Sequence, residues 1–268
     1  MNPSKTIPSL LIKENKYTNL SDQIIVEAPL QININGNPLS VTMRTPGHDI
    51  FLTIGFLFNE DLLSNIDQIE SIEELKKSED EEIFAVIVKI PDFENPSQSR
   101  KFISNSSCGL CGKEFLSEHY FKNGKLNSNF KINPIKIQSL INIMQDKQTL
   151  FNLTGGCHAV AIFDNTYNFM CLFEDVGRHN AVDKAAGYLL KNNTINDAQI
   201  MLISGRLSFE ILAKAYQLKI THILAVSSPT SLSIELAETL GICIAGFCRQ
   251  NRITIFSCKE KILTNDLL

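Results

Sequence analysis

The chain has 268 residues, of which 44% are apolar and 20% charged, with a formal net charge of −4; that is length for one large domain or two modest ones around a real core. A balance this acidic excludes generic nucleic-acid binding, which needs a strongly basic face. No apolar run approaches the roughly 18–20 residues that span a bilayer, and residues 1–16 hold no compact apolar region beside a cleavage site, so the expectation is a cytoplasmic protein without membrane or signal segment.

Charge is uneven along the chain. Residues 1–130 carry 12 Lys/Arg against 18 Asp/Glu, and residues 131–268 carry 13 against 11. An anionic small ligand is therefore expected on the second half. In the first half, the β-rich runs 24–34 and 39–44 meet at Asn35-Gly36, a strong hairpin signal. Thr45-Pro46-Gly47 breaks the sheet, and apolar residues at 50, 51, 54 and 57 then predict an amphipathic helix. Strands are predicted at 83–90 and 100–104. The acidic stretch 73–82 between helix and strands reads as a solvated loop or helix face. Residues 1–105 are thus expected to form a small α+β domain.

Next comes Ser106-Ser107-Cys108-Gly109-Leu110-Cys111-Gly112. Two thiols three positions apart, between glycines and without bulky neighbours, suit sulfur chemistry or metal binding. The glycines allow positive φ and close approach to a partner. Polar sequence at 122–129 follows, so residues 106–130 are expected to be a mobile loop or linker carrying the pair.

From Pro134 the elements alternate regularly. A helix is predicted at 135–145, strands at 159–163 and 169–173 about an Asn165-centred turn, and a helix at 181–190. A strand at 200–203, a helix at 207–218 and a strand at 223–226 follow. Ser228-Pro229 then offers an N-cap and a first-turn proline for a helix ending at Leu240, with Gly241 as its C′ residue. Strands at 242–247 and 253–256 complete the unit. This order predicts a layered α/β domain over 131–268 with helices on both faces.

Ligands in such folds bind beyond the carboxyl ends of strands. Three junctions there are unusually polar: Glu174-Asp175-Val176-Gly177-Arg178-His179-Asn180, Ser204-Gly205-Arg206-Leu207-Ser208 and Ser227-Ser228-Pro229-Thr230-Ser231. Each supplies free N–H groups at a helix start, and Arg178 and Arg206 add bidentate anion contacts. Phe247-Cys248-Arg249-Gln250-Asn251-Arg252, after a late strand, offers a ring to stack on a base, two arginines for phosphates and amides for a base edge. Thr154-Gly155-Gly156-Cys157-His158 is a further special spot, with a candidate reactive or ligating Cys-His pair. Helix caps, a polar hairpin turn and a buried cysteine are the plain alternatives.

Seven cysteines, an odd number at irregular spacing, do not suggest a disulfide scaffold. Cys171 and Cys243 lie in apolar stretches and read as core. A zinc site could recruit Cys108, Cys111, Cys157 and His158, but adjacent Cys and His rarely both reach one tetrahedral ion. A zinc deaminase needs H-x-E with P-C-x-x-C; no histidine here is followed two positions later by glutamate, and Ser107 precedes Cys108. A thioredoxin-like centre would put the pair in a βαβ unit, and here it precedes a polar linker. Sulfur carriage fits better, because an exposed thiol on a mobile segment can visit two partners.

Thr45-Pro46-Gly47, 106–112, 154–158, the run EDVGRHNAVDK at 174–184, SGRLSFE at 204–210, 228–236 and 246–249 together resemble the FdhD-type formate dehydrogenase accessory proteins, a sulfur-carrier family. The resemblance spans about residues 24–258. It implies a sulfurtransferase-type carrier that takes sulfur from a cysteine desulfurase and passes it to the molybdenum cofactor, bis-molybdopterin guanine dinucleotide, for the formate dehydrogenase apoprotein. Cys108 corresponds to the family's persulfide-bearing cysteine and Cys111 to its second. The family's cofactor-binding stretch maps onto Phe247, Cys248, Arg249, Gln250, Asn251 and Arg252. It further implies a homodimer, no permanent metal, and a C-terminal unit of the cytidine deaminase-like fold.

Overall fold

The structure, a computed structural model, describes residues 1–75, 84–91, 93, 102–104, 121, 124–249 and 252–263. Among them the chain forms a two-stranded ribbon, a five-stranded sheet and a six-stranded sheet. The ribbon pairs β1 (Ser4–Lys13) with β2 (Lys16–Ile25) in antiparallel register. It turns through Glu14 and Asn15, both at positive φ, a backbone twist that suits a two-residue hairpin. No strand was expected before residue 24, because Leu10-Leu11-Ile12 runs on without the alternation that marks a half-buried strand.

The five-stranded sheet has the order β5-β6-β3-β4-β7, built from β3 (Ala28–Ile34), β4 (Asn37–Arg44), β5 (Ser71–Leu75), β6 (Phe84–Lys89) and β7 (Phe102–Ser104). Asn35 and Gly36 take φ of 49° and 80° and make the expected hairpin. Leu30, Ile32 and Ile34 alternate inward with Val86 and Val88, and α1 (Asp49–Asn59) closes this core with Leu52 and Leu57. The acidic stretch is corrected in part. Glu73 and Glu74 belong to edge strand β5 with exposed side chains, a position that tolerates charge; residues 76–82 lie outside the described residues.

The second unit runs α2 (Pro134–Lys147), α3 (Thr149–Thr154), β8 (His158–Phe163), β9 (Phe169–Asp175), α4 (Arg178–Lys191), β10 (Ile200–Ile203), α5 (Phe209–Gln217), β11 (His222–Ala225), α6 (Ser231–Leu240), β12 (Cys243–Arg249) and β13 (Arg252–Ile255). Its sheet order is β13-β12-β11-β10-β8-β9. One face packs Val160, Met201, Ile223 and Ile244 against α4, α5 and α6; the other packs Ala161, Leu202 and Leu224 against Ile137, Leu140 and Met144 of α2. Helices therefore cover both faces, as the alternation of elements required. Cys171 and Cys243 are buried, as their apolar surroundings indicated.

Helix α6 begins two residues later than Ser228-Pro229 suggested. Its N-cap is Thr230, whose Oγ1 accepts from Ser233 N while Ser233 Oγ accepts from Thr230 N. Residues 228–230 are instead extended against Leu207, with Leu207 N donating to Ser228 O and Thr230 N to Leu207 O. Gly241 does cap the helix, at φ 71°.

The two larger sheets meet through α1 and α4, which cross at paired glycines. A Cβ on Gly55 would sit 1.9 Å from Asp183 O, and one on Gly187 would sit 1.9 Å from Phe51 O. Only glycine allows backbones that close. Residues 124–126 are fastened to the second unit, with Leu126 N donating to Leu240 O and Tyr216 Oη to Gly124 O.

Candidate functional site at the carboxyl ends of the parallel strands

Strands β9, β10, β11 and β12 run parallel, and β8 runs opposite to its neighbours β9 and β10. The carboxyl ends of four strands and the start of β8 consequently share one edge. All three polar junctions, the start of the 247–252 segment and Cys157-His158 lie there. The loops are sewn together across that edge. Ser204 Oγ accepts from Ala159 N at 2.9 Å, and Phe247 N donates to Ser227 O at 3.0 Å. A Cβ on Gly205 would lie 3.3 Å from His158 Nδ1 and 3.6 Å from Arg178 Cβ, so the bare backbone at Gly205 is where β8, the first junction and the second junction meet.

Within residues 174–184 the structure separates side chains that build the fold from side chains that remain available. Glu174 caps α3, accepting from Leu150 N at 2.8 Å and Phe151 N at 2.7 Å. Asp175 is fully buried and pairs with Lys184 Nζ at 2.7 Å. It also accepts from Thr45 N, Gly177 N and Asn180 Nδ2. Thr45 returns the contact, its Oγ1 accepting from Val176 N and its carbonyl from Lys184 Nζ. Asn180 Nδ2 reaches Met43 O, and Asp183 binds Lys214 at 2.5 Å and Asn59 Nδ2 at 2.7 Å. These residues join the two sheets.

Arg178 and His179 are different. Arg178 Nε and His179 Nε2 are buried without a hydrogen-bond partner, although buried polar atoms are nearly always paired and cost about 1–3 kcal/mol when they are not. They sit at the start of α4, whose N-cap Gly177 has no side chain to satisfy the first N–H groups. Burial, reinforced by Lys214 and Arg178, pulls His179 down to about 3. Burial and Arg178 also lower His158, against the pull of Asp175. Both imidazoles are neutral at physiological pH, so positive charge at this edge comes from Arg178 and exposed Arg206. Fixed guanidinium groups beside neutral imidazoles suit an anionic, oxygen-rich ligand.

At the end of β12, Phe247 takes a left-handed φ of 54° in a bulge between Gly246 and Arg249, a conformation a bulky side chain seldom adopts and one that tends to mark functional sites. A Cβ on Gly246 would lie 2.8 Å from Pro229 Cδ, so glycine lets the bulge press against the third junction. The Arg252 guanidinium lies 5.1 Å from the Phe247 ring centre, a cation–π distance. Arg249 is exposed. Cys248 faces the other way: its side chain is in the core beneath the sheet, with burial pushing the thiol up to about 12. It can meet a ligand only through its backbone. Gln250 and Asn251 lie outside the described residues, as do Cys108 and Cys111.

The five described cysteines are all buried. Burial raises Cys171, Cys243 and Cys258 to about 12, and burial together with Glu174 raises Cys157 further still. Cys157 donates to Glu174 Oε1 at 3.3 Å. Among the described residues no group of three or more His, Cys, Asp or Glu is placed to hold a metal ion. Gly205, Thr45 and Lys184 stand in the sequence only as members of longer motifs; their role as the site's frame comes from contacts that join residues far apart in the chain.

The FdhD/NarQ family matches residues 25–263. The chain belongs to the FdhD/NarQ family. Within it, the chain is 38% identical over 252 residues to the sulfur carrier protein FdhD of Sulfolobus acidocaldarius, covering 94% of this chain and 95% of that one. It is 41% identical over 251 residues to the sulfur carrier protein FdhD of Picrophilus torridus, covering 91% and 93%. The fold matches a crystal structure from Desulfotalea psychrophila, of a protein assigned as a formate dehydrogenase accessory protein, with a TM-score of 0.78 at 22% identity over 97% of this chain and 99% of that one. In this member of the family, the run EDVGRHNAVDK at 174–184 is mostly a structural clasp around Arg178 and His179. Among the described residues no helix is long and apolar enough to cross a membrane.

Proposed function

We propose that this FdhD/NarQ protein is a cytoplasmic sulfur carrier for formate dehydrogenase, loaded at Cys108 and unloading onto a guanine-dinucleotide molybdenum cofactor. The observation that carries the reading is the disposition of thiols and donors. Five cysteines are buried and held as thiols, so sulfur chemistry falls to Cys108 and Cys111 in a glycine-flanked segment. Meanwhile a cationic edge holds two buried nitrogen atoms without a hydrogen-bond partner, Arg178 Nε and His179 Nε2.

The Cys108 thiolate attacks the terminal sulfur of a persulfide on a cysteine desulfurase. A new S–S bond forms on Cys108, the donor S–S bond breaks, and the desulfurase leaves as a thiolate, with no net change of oxidation state. Delivery follows either by direct attack of the acceptor on the terminal sulfur, in which the acceptor supplies the electron pair of the new bond, the S–S bond breaks and Cys108 leaves as its thiolate, or by attack of Cys111 on the inner sulfur of Cys108. The second route expels hydrosulfide and leaves a Cys108–Cys111 disulfide, which a cellular dithiol reduces.

The molybdenum cofactor is the substrate in this scheme, and the residues present fit it. Arg178, Arg206 and the free N–H groups of α4 would hold phosphate oxygens. Phe247 would stack on guanine, with Arg249 and Arg252 beside it and Gln250 and Asn251 reading the base edge. The deaminase-like description of the second unit is part of the same proposal, supported by its mixed sheet with helices on both faces. Cys108→Ala should abolish activation of a formate dehydrogenase apoprotein while leaving the melting curve of the carrier unchanged. Full activation by that variant overturns the reading.

A further inference from the structure

Strand β5 ends the five-stranded sheet and, among the described residues, pairs with β6 alone. Its register runs without a bulge from Ser71 opposite Lys89 to Leu75 opposite Ala85. In such an edge strand every second residue turns its N–H and C=O away from the sheet, where another chain can pair with them. The far edge of the same sheet is only the three residues of β7, and edge strand β13 of the second sheet joins across the bulge between Gly246 and Arg249. β5 has neither device, and no proline or lysine. Four of its five residues are exposed, Leu75 at 42%.

A groove of about 480 Å³ lies beside this edge. Ser71 and Glu73 wall it on β5, and Ile87 and Lys89 of β6 line it together with Ile90 and Pro91. Val86 and Val88 alternate with Ile87 and enter the core under α1, so the groove opens on the face of the sheet opposite α1. The surroundings are acidic: residues 60–75 include Glu60, Asp61, Asp67, Glu70, Glu73 and Glu74 and no lysine or arginine.

We propose that the edge of β5 and its groove receive an extended, basic segment of a partner protein, added to the sheet as a further strand. Backbone pairing supplies affinity, the groove takes the added strand's side chains at every second position, and the carboxylates select positive charge between them. A second copy of this edge is the wrong occupant, because it would set Glu73 and Glu74 against their own counterparts, and like charges directly opposite are destabilising. Nucleic acid meets the same repulsion. The glutamates that keep like edges away thus leave a basic strand favoured. The inference concerns docking and does not depend on the sulfur-carrier reading.

Fluorescence anisotropy of a labelled Lys-Val-Lys-Val-Lys-Val-Lys peptide, titrated with the full chain, tests it. Saturable binding is expected, and added peptide should slow amide hydrogen exchange at residues 71–75. The fully N-methylated peptide keeps its charge but has no backbone donors, and should bind at least about tenfold more weakly. Glu73→Lys/Glu74→Lys should weaken binding of the unmodified peptide by about tenfold, with an unchanged melting curve because both side chains are exposed. If that variant misfolds, hydrogen exchange on the wild type still locates the peptide. No saturable binding up to about 1 mM overturns the proposal. So does equal binding of the N-methylated peptide, unchanged affinity in a folded double variant, or protection confined to other strands.

Discussion

Cys157 shares a hydrogen bond with Glu174, Sγ to Oε1 at 3.3 Å, and this contact takes the thiol out of sulfur chemistry. The same carboxylate holds the start of α3 through Leu150 N and Phe151 N. Ionising Cys157 would set two negative charges together, which is why burial and Glu174 raise its pKa so far. Native protein treated with iodoacetamide near neutral pH should be labelled at Cys108 and Cys111 and left unlabelled at the five buried cysteines. Glu174→Ala should free the α3 start, lower stability by about 1–3 kcal/mol in urea unfolding and bring Cys157 into the labelled set.

Gly187 faces Phe51 O where a Cβ would intrude to 1.9 Å. Elsewhere in a helix, Gly→Ala stabilises by roughly 1 kcal/mol. Here overpacking of backbone on backbone wins, and Gly187→Ala should destabilise by roughly 3 kcal/mol, read as a lower urea midpoint.

Two neighbours in one motif should behave oppositely. Asp175→Asn leaves Lys184 buried without its counter-charge and should cost about 3–5 kcal/mol of stability. Arg178→Ala removes a group whose Nε has no partner, and its melting curve should barely move. Calorimetric titration with guanosine diphosphate should nevertheless show affinity lowered by about tenfold or more, as expected for a lost charge-assisted contact of about 1.5–3 kcal/mol.

Acid should destabilise the protein through buried histidines. His222 is fully buried, and burial holds it at about 4 against an ordinary 6.5. Lys261 O can only accept, so His222 Nε2 carries the proton toward it and Nδ1 accepts from Thr221 Oγ1. Between these two pKa values the unfolded chain binds the proton and the folded one does not. Stability is therefore full above about pH 6.5 and falls as pH drops toward about 4, by up to about 3 kcal/mol from this residue. Urea midpoints measured across that window should slope less steeply in His222→Phe.

Local pattern carried much of the architecture. Asn35-Gly36, the alternating strands of the second unit and the αL residue Gly241 depend on near neighbours, and they formed where expected. Elements without a period did not show: β1 has consecutive apolar residues on both faces, and α3 is six residues long. Ser228 looked like an N-cap, but Leu207 pairs residues 228–230 in extended form and passes the cap to Thr230. The polar junctions were legible as a group, yet the division within them was not. Asp175 and Lys184 look like site residues until Thr45, some 130 positions earlier, is seen bonded to both. Cys248 looked equivalent to Phe247 until the bulge turned its side chain into the core.

The central claim is that Cys108 carries the sulfur. Intact-protein and peptide mass spectrometry, after incubation with a cysteine desulfurase and free cysteine, tests it most directly. A gain of about 32 Da, one sulfur atom, is expected on the peptide containing Cys108, removable by dithiothreitol and absent in Cys108→Ala. A Cys108 that stays unmodified while the desulfurase turns over, or a sulfur found instead on a buried cysteine such as Cys157, would contradict it.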